Sequence, residues 1–121
     1  MLTAPQNPAD RLALVRENIA LAARASGRDP AAITLIGVAK SQPTAAVKSA
    51  LDAGLADLGE NYLQEAQAHF EALAGRTVVR HFIGALQTNK TRPAAELFDW
   101  VHTVDRLRIA ERLAAQRPSR L

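Results

Sequence analysis

The sequence contains no cysteine and few aromatic residues. Without cysteine the chain can form no disulfide framework and no thiolate metal site, and it holds no cysteine nucleophile. Three Phe, one Tyr and one Trp are too few for base stacking, and the 15 Lys and Arg residues are spread along the chain, which argues against nucleic-acid binding. The absence of cysteine also fits a reducing cytoplasm.

Long apolar runs are absent as well. The first residues, MLTAPQNPADRLALV, lack the basic segment and the continuous apolar core of a signal peptide, and no run approaches the length of a membrane span. We therefore expect a cytoplasmic protein that binds neither membrane nor nucleic acid. With 48% hydrophobic residues, the 121 residues suffice for a single domain, 1–121, with a packed core.

The chain does contain alternating helix and strand patterns. Asn7 and Pro8 predict the start of a leading helix, whose buried apolar stripe runs through Val15 and ends before Gly27. Four strand-helix units follow, with strands beginning near positions 33, 55, 77 and 98. We expect an α/β fold, because buried strands that alternate with helices are parallel and are joined by right-handed crossovers.

Two architectures fit this alternation, an open doubly wound sheet and part of a barrel. The segment VAKSQPT after the first strand has none of the glycines of a GxGxxG phosphate loop, which argues against a dinucleotide-binding sheet. A (β/α)8 barrel has eight strand-helix units in roughly 250 residues, and this chain carries half of them. Within the units, Pro93 is expected to interrupt the third helix and Asp105 to cap the fourth.

Polar residues follow each of the four strands, where ligands bind in α/β folds. In chain order they are Lys40, Glu60 and Asn61, His81, and His102. Lys40 is either a solvated charge or an amine that condenses with an aldehyde. The apolar neighbours Ile36 and Val38 would favour the second role by disfavouring the charged form.

The other polar residues also have two interpretations. Glu60 and Asn61 could cap the next helix while facing a ligand. His81 fits a hydrogen-bonded core residue or a ligand contact equally, His102 fits a structural role better, and His69 is expected to be exposed on its helix. Three scattered histidines without an i,i+4 pair or a paired carboxylate give no metal signature, and no GxSxG nucleophile elbow is present.

Four motifs occur in an order that resembles one known family. They are VAKSQP at 38–43, GENYLQEA at 59–66, HFIGALQTNK at 81–90 and FDWVHTVDRLRIAERL at 98–113. Together they span nearly all of the chain after the first helix. They resemble the pyridoxal-phosphate homeostasis proteins, which are single-domain relatives of the N-terminal barrel of alanine racemase.

The resemblance implies a TIM-type barrel that holds pyridoxal 5′-phosphate as a Schiff base on Lys40, with Asn61 and His81 beside the cofactor. It also implies a carrier or regulator of the cofactor and of amino-acid balance, without turnover of its own. The residues are consistent with a protein without turnover. Racemisation needs proton transfer on both faces of a substrate, and the sequence shows no evident second acid or base to act with Lys40. Two alternatives stay open: a racemase-like enzyme that uses pyridoxal phosphate, and a degenerate half-barrel interaction domain without cofactor.

The chain departs from the family pattern at three points. Ala39 precedes the lysine and Gln42 stands where a second lysine is common, and Ala85 replaces a usual proline. The resemblance also covers only the N-terminal half of the family's barrel, whereas the groups that bind the cofactor's phosphate in the family come from the second half. A half barrel exposes two strand edges and an apolar sheet face, so we expect a fragment of a longer protein, self-association, or a separate chain that supplies the second half.

Overall fold

The computed structural model describes residues 7–118 and shows within them four parallel strands and five α-helices. The helices are α1 (Pro8–Ala25), α2 (Thr44–Asp52), α3 (Leu63–Ala72), α4 (Thr91–Leu97) and α5 (Leu107–Gln116). The strands are β1 (Ile36–Val38), β2 (Asp57–Glu60), β3 (Val79–Phe82) and β4 (Trp100–Val101), and short 3-10 turns cover Pro30–Ala32 and Thr88–Lys90. None of the helices within residues 7–118 is long and apolar enough to cross a membrane.

The leading helix begins and ends where the sequence predicts. The Asn7 side chain accepts a hydrogen bond from the backbone N–H of Asp10 at 2.8 Å and so caps α1, which has a proline in its first turn. Gly27, with φ of 75°, adopts the left-handed conformation that follows a helix end. The predicted apolar stripe is only partly buried, since Val15 is 43% exposed.

The first strand is shorter than its apolar run. Of the run 32–39, only three residues form β1. Asp29 and Pro30 direct the chain into a 3-10 turn, in which the Asp29 carboxylate accepts the N–H of Ala31 at 3.0 Å. This local turn withdraws the start of the run from the sheet.

The strands pair in parallel in the order β1-β2-β3-β4, the order of successive barrel strands. The register aligns Val38 with Gly59, Gly59 with His81, and His81 with Trp100. The predicted α/β fold, a leading helix and four parallel strand-helix units resembling half of a (β/α)8 barrel, is confirmed. As predicted for half of a barrel, β1 and β4 each keep one edge without a partner strand within residues 7–118.

The two faces of the sheet differ in burial. Leu58 and Phe82 face the helices and are at most 2% exposed, in a core where the Phe98 ring lies 5.1 Å from the Phe82 ring. On the other face, Val38 is 51% exposed and Trp100 is 59% exposed. We call this side the open face, and by strand alternation it comprises Ile36, Val38, Asp57, Gly59, Val79, His81 and Trp100.

Two predicted helix features are wrong. Pro93 lies inside α4 without interrupting it, because it occupies the first turn, where a missing N–H removes no helical hydrogen bond. Asp105 does not cap α5: the N-cap residue is Arg106, and the Asp105 carboxylate instead lies 3.6 Å from the Arg106 guanidinium.

Candidate functional site

Lys40 lies just beyond β1, in a tight turn at the carboxyl end of the sheet. The Ala39 N–H donates to the carbonyl of Gly59 at 2.9 Å, and the Gln42 N–H closes the turn by donating to the carbonyl of Ala39 at 3.1 Å. Ser41 has φ of 60°, which is unusual for a residue with a side chain. Lys40 itself is exposed. The prediction that apolar residues surround it is therefore wrong for the part of the chain that the structure describes.

Helix α3 contacts the turn through two side chains that are four residues apart. The Ser41 N–H donates to the Glu65 carboxylate. His69 Nε2 lies 3.0 Å from the carbonyl oxygen of Gln42, and because a carbonyl oxygen only accepts, Nε2 carries a proton and donates it. Both residues that follow Lys40 are therefore tied to one helix.

His69 also forms a buried pair with Glu60, the last residue of β2. The distance from His69 Nδ1 to Glu60 Oε1 is 2.6 Å, and Glu60 is 0% exposed. Burial raises the pKa of Glu60, although His69 opposes this rise. Burial lowers the pKa of His69, but its hydrogen bonds to Glu60 and to the Gln42 carbonyl outweigh that effect, so the pKa of His69 is raised. The pair therefore keeps its proton to higher pH than the separated side chains would.

The prediction that His69 is exposed is wrong. His69 is 5% exposed and lies on the buried side of α3, three residues after Ala66 and one before Phe70. The spacing of Ala66, His69, Phe70 and Leu73 is that of a buried helix face. This periodicity was the signal that could have revealed its burial, but its pairing with β2 depends on the fold.

Glu60, Glu65 and His69 come close enough together to be tested as a cation site. One potential ligand atom of each lies within 4.8 Å of the others. The sequence was predicted to hold no metal site, although Glu65 and His69 are spaced i,i+4 on α3. Both ring nitrogens of His69 are already hydrogen bonded to protein groups, and Glu65 accepts from the Ser41 N–H. The arrangement therefore fits an internal hydrogen-bond network better than a cation site.

Asn61 follows β2 directly and does not cap the next helix. Tyr62 is the N-cap residue of α3, which has no side-chain cap hydrogen bond, so the capping role predicted for Glu60 and Asn61 is wrong. The side-chain oxygen of Asn61 is buried and makes no hydrogen bond to any group of residues 7–118. An unpaired buried acceptor destabilises the folded state, so a hydrogen bond from a donor on a ligand or on another chain would be favourable here.

His81 joins two other polar side chains on the open face. Its Nε2 lies 2.7 Å from Asp57 Oδ2, and its Nδ1 lies 2.9 Å from Nε2 of His102. The carboxylate places the His81 proton on Nε2, so Nδ1 accepts the proton of His102. The Trp100 ring stacks nearly parallel on His81 at 6.1 Å. Both ring nitrogens of His81 are paired, so a ligand would meet its ring face or displace one partner.

The loops after β2, β3 and β4 pack tightly against one another. A side chain at Gly84 would overlap the backbone carbonyl of Asn61, so the two loops approach as closely as glycine allows. The Thr103 hydroxyl donates to the carbonyl of Gly84. These contacts fix the backbone of Asn61 at the carboxyl end of the sheet.

The three predicted cofactor-binding residues lie at two levels of the sheet. Lys40 and Asn61 each follow by two residues a member of the aligned pair Val38 and Gly59, so both come at the carboxyl end. His81 is aligned with Gly59 itself and therefore lies one pleat deeper. Their contact with a cofactor stays a prediction.

Comparison with known proteins gives close relatives of about twice the length. No family model matches the chain. It is 55% identical over 113 residues to a pyridoxal phosphate homeostasis protein of Pseudomonas aeruginosa, covering 93% of this chain and 49% of that protein. It is 51% identical over 116 residues to the protein of the same name from Escherichia coli strain K12, covering 93% of this chain and 50% of that protein. The chain thus spans about half the length of the curated relatives it matches.

Two solved structures match the chain over about half of their own length. The structure of PipY from Synechococcus elongatus with PLP bound matches at a TM-score of 0.75 and 39% identity, over 90% of this chain and 47% of PipY. A crystal structure of an unknown protein from Bifidobacterium adolescentis matches at a TM-score of 0.81 and 28% identity, over 89% of this chain and 48% of that chain. The resemblance to pyridoxal phosphate homeostasis proteins is confirmed.

Proposed function

We propose that this chain, which is similar over 93% of its length to pyridoxal phosphate homeostasis proteins, binds pyridoxal 5′-phosphate as a Schiff base on Lys40. In this proposal it is a single cytoplasmic half-barrel domain, 1–121, that takes part in cofactor and amino-acid homeostasis without turnover of its own. The observation that supports it most directly is the exposed amine of Lys40 at the carboxyl end of a sheet that is similar to PipY with PLP bound.

The residues around Lys40 fit the aldehyde end of this cofactor. Lys40 would hold the cofactor through its amine, which would condense with the aldehyde group and release one water. Lys40 is exposed within residues 7–118, so this amine is accessible. The unpaired side-chain oxygen of Asn61 supplies an acceptor at the same end of the sheet. In the proposal, His81 faces the cofactor from the deeper level.

Binding without turnover is supported by the partners of His81. A racemase needs an acid and a base on opposite faces of the substrate carbon. His81 is a candidate for a second such group on the open face, but Asp57 and His102 occupy its two ring nitrogens. The racemase-like alternative would require one of these bonds to break in each cycle.

A complementing half of the barrel is part of the proposal. The free edges of β1 and β4 and the exposed Val38 and Trp100 are groups that a closed barrel covers. We propose that this surface is covered by the rest of a longer chain, by a separate chain or by a second copy, and that the groups binding the phosphate come from the covering half.

The cofactor proposal is tested by adding pyridoxal 5′-phosphate, recording the absorbance spectrum and then reducing with borohydride. We expect a Schiff-base absorbance band and a mass increase on the peptide that contains Lys40. Lys40→Ala should abolish the band, whereas Lys48→Ala, which changes an exposed lysine on α2, should keep it. Equal labelling of all lysines, or an unchanged spectrum, would contradict binding at Lys40 and favour the degenerate interaction domain.

Association is tested separately by size-exclusion chromatography with light scattering. We expect a mass of two chains, or of one chain with a complementing half, at micromolar concentration. A well-folded monomer that stays monomeric at this concentration would contradict self-association.

A further inference from the structure

We infer that Glu65 and His69 of α3, with Glu60 behind His69, are positioning residues that hold the turn carrying Lys40. The inference rests on the proposed function only in giving Lys40 its chemical role. The contacts of the turn itself stand independently of any cofactor.

The backbone after Lys40 has an unfavourable conformation, and the turn has one internal hydrogen bond to hold it. The turn therefore needs support from other parts of the chain. Ser41 has φ of 60°, in the left-handed region that side chains disfavour. The single internal bond of the turn joins the Gln42 N–H to the carbonyl of Ala39. The remaining polar backbone groups of Ser41 and Gln42 face outward, so neighbouring side chains can hold the turn through them.

Side chains of helix α3 contact one such group on each of the two residues. Glu65 accepts the Ser41 N–H, and His69 donates from Nε2 to the Gln42 carbonyl at 3.0 Å. One contact binds a donor and the other an acceptor, so together they resist rotation of the peptides after Lys40. On the preceding side, Ala39 is held to β2 by its own ladder bond. The Lys40 backbone is thus fixed on both sides while its side chain remains exposed.

Glu60 fixes the orientation of His69. It accepts from Nδ1 at 2.6 Å, so the ring lies between a buried carboxylate on β2 and the turn. Only one orientation of the ring satisfies both contacts. The second carboxylate oxygen of Glu60 is buried and has no hydrogen-bond partner within residues 7–118, which weakens the folded state. A buried carboxylate that is only half satisfied is better explained by its hold on His69 than by a contribution to stability.

We call the contacts of Glu65 and His69 with the turn, together with the contact of Glu60 with His69, the clamp. The test compares variants of the clamp with a matched control on the same helix. Glu65→Ala and His69→Ala remove one contact each, and Glu65→Gln keeps an oxygen that accepts the Ser41 N–H without the charge. Glu71→Ala, at an exposed position of α3, changes a carboxylate that does not touch the turn. Far-UV circular dichroism checks that each variant is folded, and Glu65→Gln serves if the alanine variants are not.

Two measurements separate positioning from a general loss of structure. The first is amide hydrogen exchange at Ser41, which we expect to accelerate about tenfold or more in Glu65→Ala. The second is the rate of labelling of Lys40 by pyridoxal 5′-phosphate and borohydride, divided by that of Lys48 in the same sample. We expect this ratio to fall about tenfold in both alanine variants, partly in Glu65→Gln, and not in Glu71→Ala.

The outcomes distinguish this inference from the proposed function. Unchanged Ser41 exchange and an unchanged labelling ratio in folded Glu65→Ala would overturn the inference while leaving Lys40 as the cofactor site. If the wild-type chain shows no preference for Lys40 but Ser41 exchange accelerates as expected, the cofactor proposal fails and the clamp of the turn stands.

Discussion

The Glu60–His69 pair gives the sharpest stability prediction. His69→Ala leaves the fully buried Glu60 carboxylate without its hydrogen-bond donor and also removes the bond to the Gln42 carbonyl. Breaking a buried charged pair by removing one partner costs about 3–5 kcal/mol. Since a domain of this size has a free energy of unfolding of about 5–15 kcal/mol, the variant should lose a large part of its stability.

A double variant reveals whether the loss comes from the unpaired charge. Replacing both residues together, as Glu60→Leu and His69→Leu, removes the carboxylate as well as its partner, and such replacements are neutral or stabilising by about 1–4 kcal/mol in other proteins. We therefore expect the double variant to be more stable than His69→Ala, despite its larger change in sequence.

The assay is urea unfolding at pH 7, followed by far-UV circular dichroism, with the midpoint and slope fitted for each variant. Gln67→Ala, at an exposed position of α3, is the control and should stay within about 0.5 kcal/mol of wild type. A loss below about 1 kcal/mol in His69→Ala, or a double variant less stable than the single one, would refute the description of a buried charged pair.

Three further predictions follow from other contacts. The pKa of His69, which faces the carboxylates of Glu60 and Glu65, is raised above its ordinary value of 6.5, so its stabilising effect is complete below pH 6.5 and is lost as pH rises through the folded-state pKa. The free energy of unfolding should then fall by at most about 1.4 kcal/mol for each unit by which pH rises through that pKa. The double variant Glu60→Leu with His69→Leu should remove this dependence in urea titrations, because His69→Leu alone leaves Glu60 buried with a raised pKa. Gly84→Ala should destabilise the fold by about 1–3 kcal/mol, measured as a lower Tm, because the added methyl meets backbone; an unchanged Tm would contradict the close approach of the two loops. Ile109→Ala should cost about 2–5 kcal/mol because Ile109 is 0% exposed, whereas exposed Leu107→Ala should change unfolding little.

Features that depend on neighbouring residues were predictable from the sequence. The start of α1 rests on a side-chain cap at Asn7, and its end on the conformational freedom of Gly27. The apolar runs also predicted the number and the parallel arrangement of the strands. The position of Lys40 after the first strand followed from the end of its run, which is again a local signal.

Features that depend on packing were not predictable in the same way. The apolar surroundings expected for Lys40 would require other side chains to pack around its own, and within residues 7–118 it is exposed. The role of His69 depends on Glu60, which is nine residues away and on a different element. Strand lengths also differed, since the turn at Asp29 competes with the sheet for the start of the first apolar run.

The stacking of Trp100 on His81 has a practical consequence. Trp100 is the one tryptophan of the sequence, it is 59% exposed, and its ring lies over an imidazole on the open face. Any chain that covers this face shields the indole from water. Tryptophan fluorescence therefore reports on this surface without an added label: covering should shift the emission to shorter wavelength. A shift on mixing with a complementing half would follow closure of the barrel in real time.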